Sequence, residues 1–199
     1  MSISSPPSRS AFFYGTLMAP QVLHRVCHGT ASPSATTSAI TARPALLQRH
    51  RRHRVKYADY PAIVPAANDA CVRGTFVTGL TDTDIARLDI FEGSDYARIN
   101  VRVRLVDEDG EENGGADLVE AEAETYVWKA DPAHLEDREW DFDEFRRERI
   151  KFWVGVEGSK ELEEVDEAIA ANKDGTGGRG ANGSITLALQ DAQGIGGKS

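Results

Sequence analysis

The sequence predicts an α+β fold: a mostly antiparallel, strongly curved sheet with three or four helices packed around it. Three observations carry this. Ile99 to Val106 alternates strictly between apolar and polar residues, the period-2 signature of a half-buried strand. Three segments, near 20–28, 82–91 and 137–153, repeat their apolar residues at helical spacing. Strands and helices are interleaved without any internal repeat, which excludes solenoids and propellers.

The elements follow in order. Residues 1–10 are rich in Ser and Pro and are expected to be disordered. A first strand is expected over about 11–15, through Phe12, Phe13 and Tyr14. Pro20 suits a first helical turn and Gly29 suits the position after a last one, with Val22, Leu23, Val26 and Cys27 as the buried stripe between them. Residues 30–38 read as a loop. The stretch from Ile40 to Val55 is mixed and holds the chain's one basic run, Arg49 to Arg54. Pro61 and Pro65 forbid a helix over Tyr57–Pro65 and point to an extended or edge segment. Val72 to Leu80 reads as a strand with Val72, Gly74, Phe76 and Thr78 on one face.

Thr81-Asp82-Thr83-Asp84 fits a capping box, so a helix should run over 82–91 and stop before Gly93. Ile85, Leu88 and Glu92 stand at i, i+3 and i+7 and share one face. In the strand that follows, Ile99, Val101, Val103 and Leu105 are expected inward. Asp107 to Glu124 holds nine acidic residues and no basic one, and reads as a solvated hairpin loop. A strand at 123–128 returns to pair with 97–106. An aromatic-rich helix, 137–153, is followed by a short acidic helix near 161–172 and a Gly-rich tail. The expected organisation is thus a disordered N-terminus (1–10), a folded domain (11–154, with the acidic loop at 107–122) and a C-terminal part (155–199) made of a short helix and a disordered tail.

Composition narrows the function. A net charge of −9 repels a phosphate backbone over most of the surface, which argues against nucleic acid as a partner. No apolar run reaches the roughly 18 residues of a membrane span, and Met1 to Ser10 lacks the pattern of a signal peptide, so the cytoplasm is the expected location. Cys27 and Cys71 are far apart in apolar contexts and read as free core thiols. His24 and His28 stand at i, i+4 beside Cys27, but no third or fourth ligand has suitable spacing, so no metal is expected. Gly175 to Gly180 matches a dinucleotide-binding pattern with neither a strand before it nor a helix after it, and is compositional. Neither a G-x-S-x-G nor a P-loop is present. One arginine of the 49–54 run is placed to neutralise a substrate carboxylate.

Two features remain. The strand through Phe13 and Tyr14 stops at Gly15-Thr16-Leu17 before a helix, and such a turn presents backbone N–H groups to a carboxylate or an oxyanion. Gly15, with no side chain, would let a substrate approach, so replacing it should matter more than replacing Thr16. Glu92 ends a helix on an apolar face. Burial and the negative end of the helix dipole both favour its protonated form, as a general acid/base near neutrality requires. The plainer reading is a helix-end carboxylate that turns to water or pairs with Arg87 or Arg98. Asp89 and Asp95 compete nearby.

Tyr14-Gly15-Thr16-Leu17, Tyr60 to Val64, Leu88 to Gly93, Tyr96-Ala97-Arg98 and Trp140 to Phe145, taken together in this order, resemble the gamma-glutamylcyclotransferase-like superfamily, and within it the avirulence-induced-gene branch of plants and fungi. The resemblance spans about 11–154. It implies a small curved mixed β-barrel with flanking helices, and it implies an acyltransferase that turns a γ-glutamyl amine or peptide into 5-oxoproline. It assigns Glu92 as general acid/base, the backbone of Tyr14, Gly15, Thr16 and Leu17 as substrate pocket, and Tyr96 as a pocket residue. It calls for no metal or cofactor and for no partner beyond the small-molecule γ-glutamyl substrate. The alternative on the same fold is a non-catalytic small-molecule binding or interaction protein.

Overall fold

Strands and helices are interleaved along the chain, and five of the described strands close on themselves. In a computed structural model that describes residues 8–29, 40–107 and 119–154, the order is β1 (Arg9–Phe13), α1 (Pro20–His28), β2 (Thr41–Gln48), β3 (His50–Arg54), β4 (Pro61–Pro65), β5 (Cys71–Leu80), α2 (Asp82–Glu92), β6 (Tyr96–Leu105) and β7 (Glu120–Trp128). A C-terminal helix, 142–154, follows, with a π segment at Phe145–Arg149. The barrel order is β1-β5-β2-β6-β7, and β3 and β4 form a separate two-stranded sheet. All pairs are antiparallel except β1 with β7, whose parallel contact at Ala11 and Glu124 closes the barrel. Among the described residues no helix is long and apolar enough to cross a membrane. The expectations for 1–7, for 30–38, for 108–118 and for 155–199 lie outside the described residues.

Alternation along the strands divides the buried residues into two clusters. One contains no helix residue and includes Phe12, Tyr14, Leu47, Val72, Phe76, Val103 and Val127, so it fills the barrel. The other joins Ala11, Phe13, Val77 and Leu80 to Leu23, Leu88, Phe91, Phe145 and Trp153, so it lies between barrel and helices. Gly74 makes the interior possible. A Cβ there would stand 2.5 Å from Phe12 Cζ and 2.3 Å from the Phe13 carbonyl oxygen. β5 changes face at a bulge. Arg9 pairs with Leu80 but Ala11 with Val77, and Gly79 takes the positive φ of 85° that the extra residue needs.

The local signals placed α1 and α2 well. Gly29 ends α1 with φ 71° and bonds back to the Arg25 carbonyl at 3.0 Å. Thr81 and Asp84 form the capping box, and Gly93 follows Glu92 at the other end. Elsewhere long-range contacts moved the boundaries. β1 starts two residues earlier than expected and ends at Phe13. The basic run is β3, paired with the two-proline segment as β4. Ile99 is not inward: it is 38% exposed, because β6 at that point has β7 alone as strand neighbour, and β2 joins only at Arg104 and Leu105. Cys71 is not a core thiol, since it stands exposed at the start of β5. The C-terminal helix begins at Phe142 rather than 137. Residues 136–138 bond instead to the end of β3, with Glu136 N–H donating to the Arg54 carbonyl at 2.8 Å and Arg54 N–H to the Arg138 carbonyl at 3.1 Å. Asp141 then caps the helix by accepting the Glu144 N–H.

Candidate active site

The residue after β1, Tyr14, is fixed at two points. The Tyr14 phenol donates to the Tyr126 carbonyl at 2.6 Å, and the Tyr14 carbonyl accepts from Arg52 Nη1 at 2.9 Å. A 3-10 turn, Thr16–Met18, follows, with Met18 N–H bonded to the Gly15 carbonyl at 2.9 Å. The first amides of such a turn have no acceptor within it, so those of Thr16 and Leu17 are the donors this segment can offer. The side chains of Thr16 and Leu17 are buried. Gly15 is not an opening for a ligand. The Pro61 ring occupies that place, 2.8 Å from where a Cβ would be, which corrects the expectation drawn from the missing side chain.

Glu92 reaches the same place from the other layer. Ile85, Leu88 and Phe91 anchor α2 to the core, and half-buried Glu92 leaves its C-terminal end. It shares a cavity of about 20 Å³ with the 13–17 segment, Tyr60 and Pro61. That space suits about one water molecule. A larger ligand extends out of this space or displaces part of its lining.

Tyr96 stands behind this wall rather than in the cavity lining. Its phenol donates to the Pro61 carbonyl at 2.9 Å and its ring meets Trp128 edge-on. Asp89 is committed elsewhere, accepting from Arg98 Nε at 2.8 Å and from the Tyr126 phenol at 2.9 Å. Burial, then the charges of Asp89 and Glu92, hold the Tyr126 phenol protonated far above its ordinary range. Asp95 is a turn residue whose carbonyl accepts from Lys129 and Ala130. Arg87 Nε donates to the Val26 carbonyl at 2.6 Å. Burial pushes the Cys27 thiol up to about 12, which leaves it without nucleophilic character at neutral pH. Among the described residues no group of three or more His, Cys, Asp or Glu side chains is placed to hold a metal ion.

Sequence reasoning did not assign Tyr60, Pro61 or Tyr126 to the site, and it offered an arginine of the 49–54 run for a substrate carboxylate without singling out Arg52, whose Nη1 holds the Tyr14 carbonyl. The two prolines marked an extended segment, but nothing local said that it would pack on Gly15. The wall has a buried brace. Asp59, directly before Tyr60, has a side chain 2% exposed, lies 3.7 Å from Arg149 Nε, and accepts the Trp140 indole N–H on its carbonyl at 2.7 Å. Burial raises the pKa of its carboxyl, against the nearby Arg149 and Arg54 charges.

Comparison with known proteins gives the class: the closed, mixed five-stranded barrel with its flanking helices is a gamma-glutamylcyclotransferase-like fold. Residues 11–142 match the family model described as gamma-glutamyl cyclotransferase, AIG2-like, and the chain belongs to that family. Protein AIG2 C of Arabidopsis thaliana is 32% identical over 148 residues, 73% of this chain and 77% of that protein. Protein AIG2 B of the same plant is 34% identical over 142 residues, 70% and 72% of the two chains. A solution structure of an Arabidopsis thaliana protein superposes with a TM-score of 0.51 at 29% identity, covering 89% of this chain and 92% of the other.

Proposed function

We propose that this chain is a γ-glutamyl cyclotransferase, a cytoplasmic acyltransferase that forms 5-oxoproline. The observation that carries the reading is the shared cavity of Glu92 and the 14–17 backbone. The α-amine of a γ-glutamyl group is protonated at neutral pH. Glu92, as carboxylate, takes one of its protons, and the amine attacks the γ-carbonyl of the same group. The C–N bond closes a five-membered ring, and the carbonyl oxygen becomes an oxyanion that the Thr16 and Leu17 amides can stabilise. Glu92 returns its proton to the departing nitrogen, the old C–N bond breaks, the surplus proton of the new ring nitrogen passes to the freed amine, and 5-oxoproline and a protonated amine leave. The nucleophile comes with the substrate, so no Ser, Cys or cofactor is needed. Tyr14, held at its hydroxyl and at its carbonyl, fixes the turn, and Tyr96 supports the opposite wall through Pro61.

Release of 5-oxoproline from a panel of γ-glutamyl amines and peptides tests this. Glu92→Gln should lower kcat by about 10²-fold or more, the usual weight of positioned acid–base help. Equal rates in the two proteins would remove Glu92 from the mechanism. The small size of the cavity favours a second reading, a non-catalytic binding protein on the same fold. It predicts ligand binding with no 5-oxoproline from any member of the panel.

A further inference from the structure

Asp59 is a buried titratable group with no part in the proton transfers at Glu92. It directly precedes the Tyr60–Pro61 wall of the Glu92 cavity, and its side chain is 2% exposed. Its carbonyl is well used, accepting the Trp140 indole N–H at 2.7 Å. Its carboxylate is not. Oδ1 lies 3.7 Å from Arg149 Nε, beyond hydrogen-bond reach, and Oδ2 is buried with no hydrogen-bond partner among the described residues. A buried carboxylate satisfied so poorly is costly when charged and much less so when protonated.

Charges of both signs face it. Arg149 of the C-terminal helix and Arg54 of β3 favour its ionised form, as does the Trp153 indole beside it. Glu144 opposes that form, and burial opposes it most. Arg138, Glu139 and Asp141 border the same polar space of about 20 Å³, room for about one water.

The wall is the movable side of the Glu92 cavity. The 14–17 turn continues a barrel strand, and Glu92 ends a helix anchored in the core. Tyr60–Pro61 instead leads into β4, in the two-stranded sheet outside the barrel. The loop before it is strained, since bulky Tyr57 holds a φ of 60°. Trp153 also meets the ring of Phe91 edge-on at 6.3 Å, directly before Glu92, so the C-terminal helix touches both sides of the cavity.

We propose that Asp59 is a positioning residue that sets how tightly Tyr60–Pro61 closes on the Gly15 turn: its carboxylate loosens the wall and admits the substrate, and its neutral form shuts it. Burial raises the folded pKa of Asp59, so the wall is loose above that pKa and closes as pH falls through it. That a substrate enters here rests on the cyclotransferase reading. The effect on the wall rests on the surroundings of Asp59 alone.

Hydrogen exchange of the full chain, read by mass spectrometry and corrected for its intrinsic pH dependence, follows the wall without any substrate. At pH 7 Asp59→Asn should slow exchange across 59–65 about fivefold or more and leave 121–128 of β7 unchanged. In the parent the same segment should slow as pH is lowered, and in Asp59→Asn it should not. Arg149→Gln removes a charge that offsets the carboxylate, so it should speed exchange at 59–65 in the parent and not in Asp59→Asn. Equal or faster exchange in Asp59→Asn at pH 7, a parent wall indifferent to pH, or an Arg149→Gln effect equal in both backgrounds overturns the proposal. The second arm uses the best substrate of the γ-glutamyl panel. A site open for only a fraction of the time has its apparent affinity reduced by that fraction. Asp59→Asn should therefore raise KM at pH 7 by about the factor by which it slows exchange, with kcat unchanged, and the ratio of the two KM values should approach one as pH is lowered. An unchanged KM beside a slowed wall overturns the role in substrate entry. If neither protein yields 5-oxoproline while the exchange results hold, the cyclotransferase reading falls and the control of the wall by Asp59 stands.

Discussion

Gly15 and Pro61 show how much one contact decides. With a Cβ 2.8 Å from the proline ring, G15A must push back a wall that Tyr96 and Asp59 hold from behind. Overpacking of this kind costs about 1–3 kcal/mol, so the urea midpoint of G15A should fall by the corresponding amount, and an unchanged midpoint would mean that the wall yields freely. Asp59 supplies a pH-dependent counterpart. Burial raises its folded pKa above that of the unfolded chain, so its ionised form works against folding. That cost is present above the folded pKa and is relieved as pH falls through it toward the ordinary carboxyl range. Asp59→Asn should therefore melt higher than the parent at pH 7, with the difference shrinking as pH is lowered. A lower melting point at pH 7 would show that the Arg149 pairing outweighs desolvation. Neither role was legible beforehand. Glycine and aspartate beside a turn have many local explanations, and the deciding neighbours lie 46 residues (Pro61) and 90 residues (Arg149) away in the chain.

At the scale of elements, helices with local signals were readable and those with distant partners were not. α2 carries its own start and stop, and its observed bounds differ from the expected ones by one residue. Its capping box makes a clean test. Thr81 Oγ1 accepts the Asp84 N–H at 3.1 Å, and the Asp84 carboxylate accepts the Thr81 N–H at 2.8 Å. Thr81→Ala should cost about 0.5–2 kcal/mol in a denaturation curve and leave kcat in place, because Glu92 sits at the opposite end of the helix. A kcat that falls in step with stability would show that the whole helix, not its last turn, sets the carboxylate. The C-terminal helix lacked such independence. Its expected first turn contains Arg138 and Trp140, whose backbone carbonyl and indole N–H are taken by Arg54 and Asp59. The same holds for β6, where strict alternation predicted an inward Ile99 but could not say where its second neighbour strand ends. Glu92 and the 14–17 turn each have a local signature, a helix end and a strand end, but local signals favoured the plainer reading of both and it was the family resemblance that made them a candidate pair. Their third side, Tyr60–Pro61, has none.

The site draws on barrel, helix and second sheet together. β1 brings the turn, α2 brings Glu92, β4 of the separate two-stranded sheet brings the wall, and β1 is held in the barrel by antiparallel β5 on one side and by the parallel β7 contact, the closing seam, on the other. One carboxylate sits on that seam. Glu124, on β7 opposite Ala11, accepts from Arg9 Nη2 at 2.7 Å and from Arg98 Nη1, so it joins β1 to both strands of the β6–β7 pair. Its side chain is 15% exposed, which limits the screening that makes most surface pairs worth little. Glu124→Gln keeps an acceptor and removes the charge from between two guanidinium groups. Charge-assisted hydrogen bonds are worth about 1.5–3 kcal/mol, so this one substitution should lower the urea midpoint by a loss of that order, and the loss should shrink in high salt. Glu122, two residues away and paired with Arg102 at 3.4 Å, provides the control, since its side chain is 85% exposed. Glu122→Gln should leave the midpoint where it is. Equal effects of the two changes would mean that closure is held by the apolar clusters alone. The activity of Glu124→Gln would then report on packing, with no separate contribution from the charged seam.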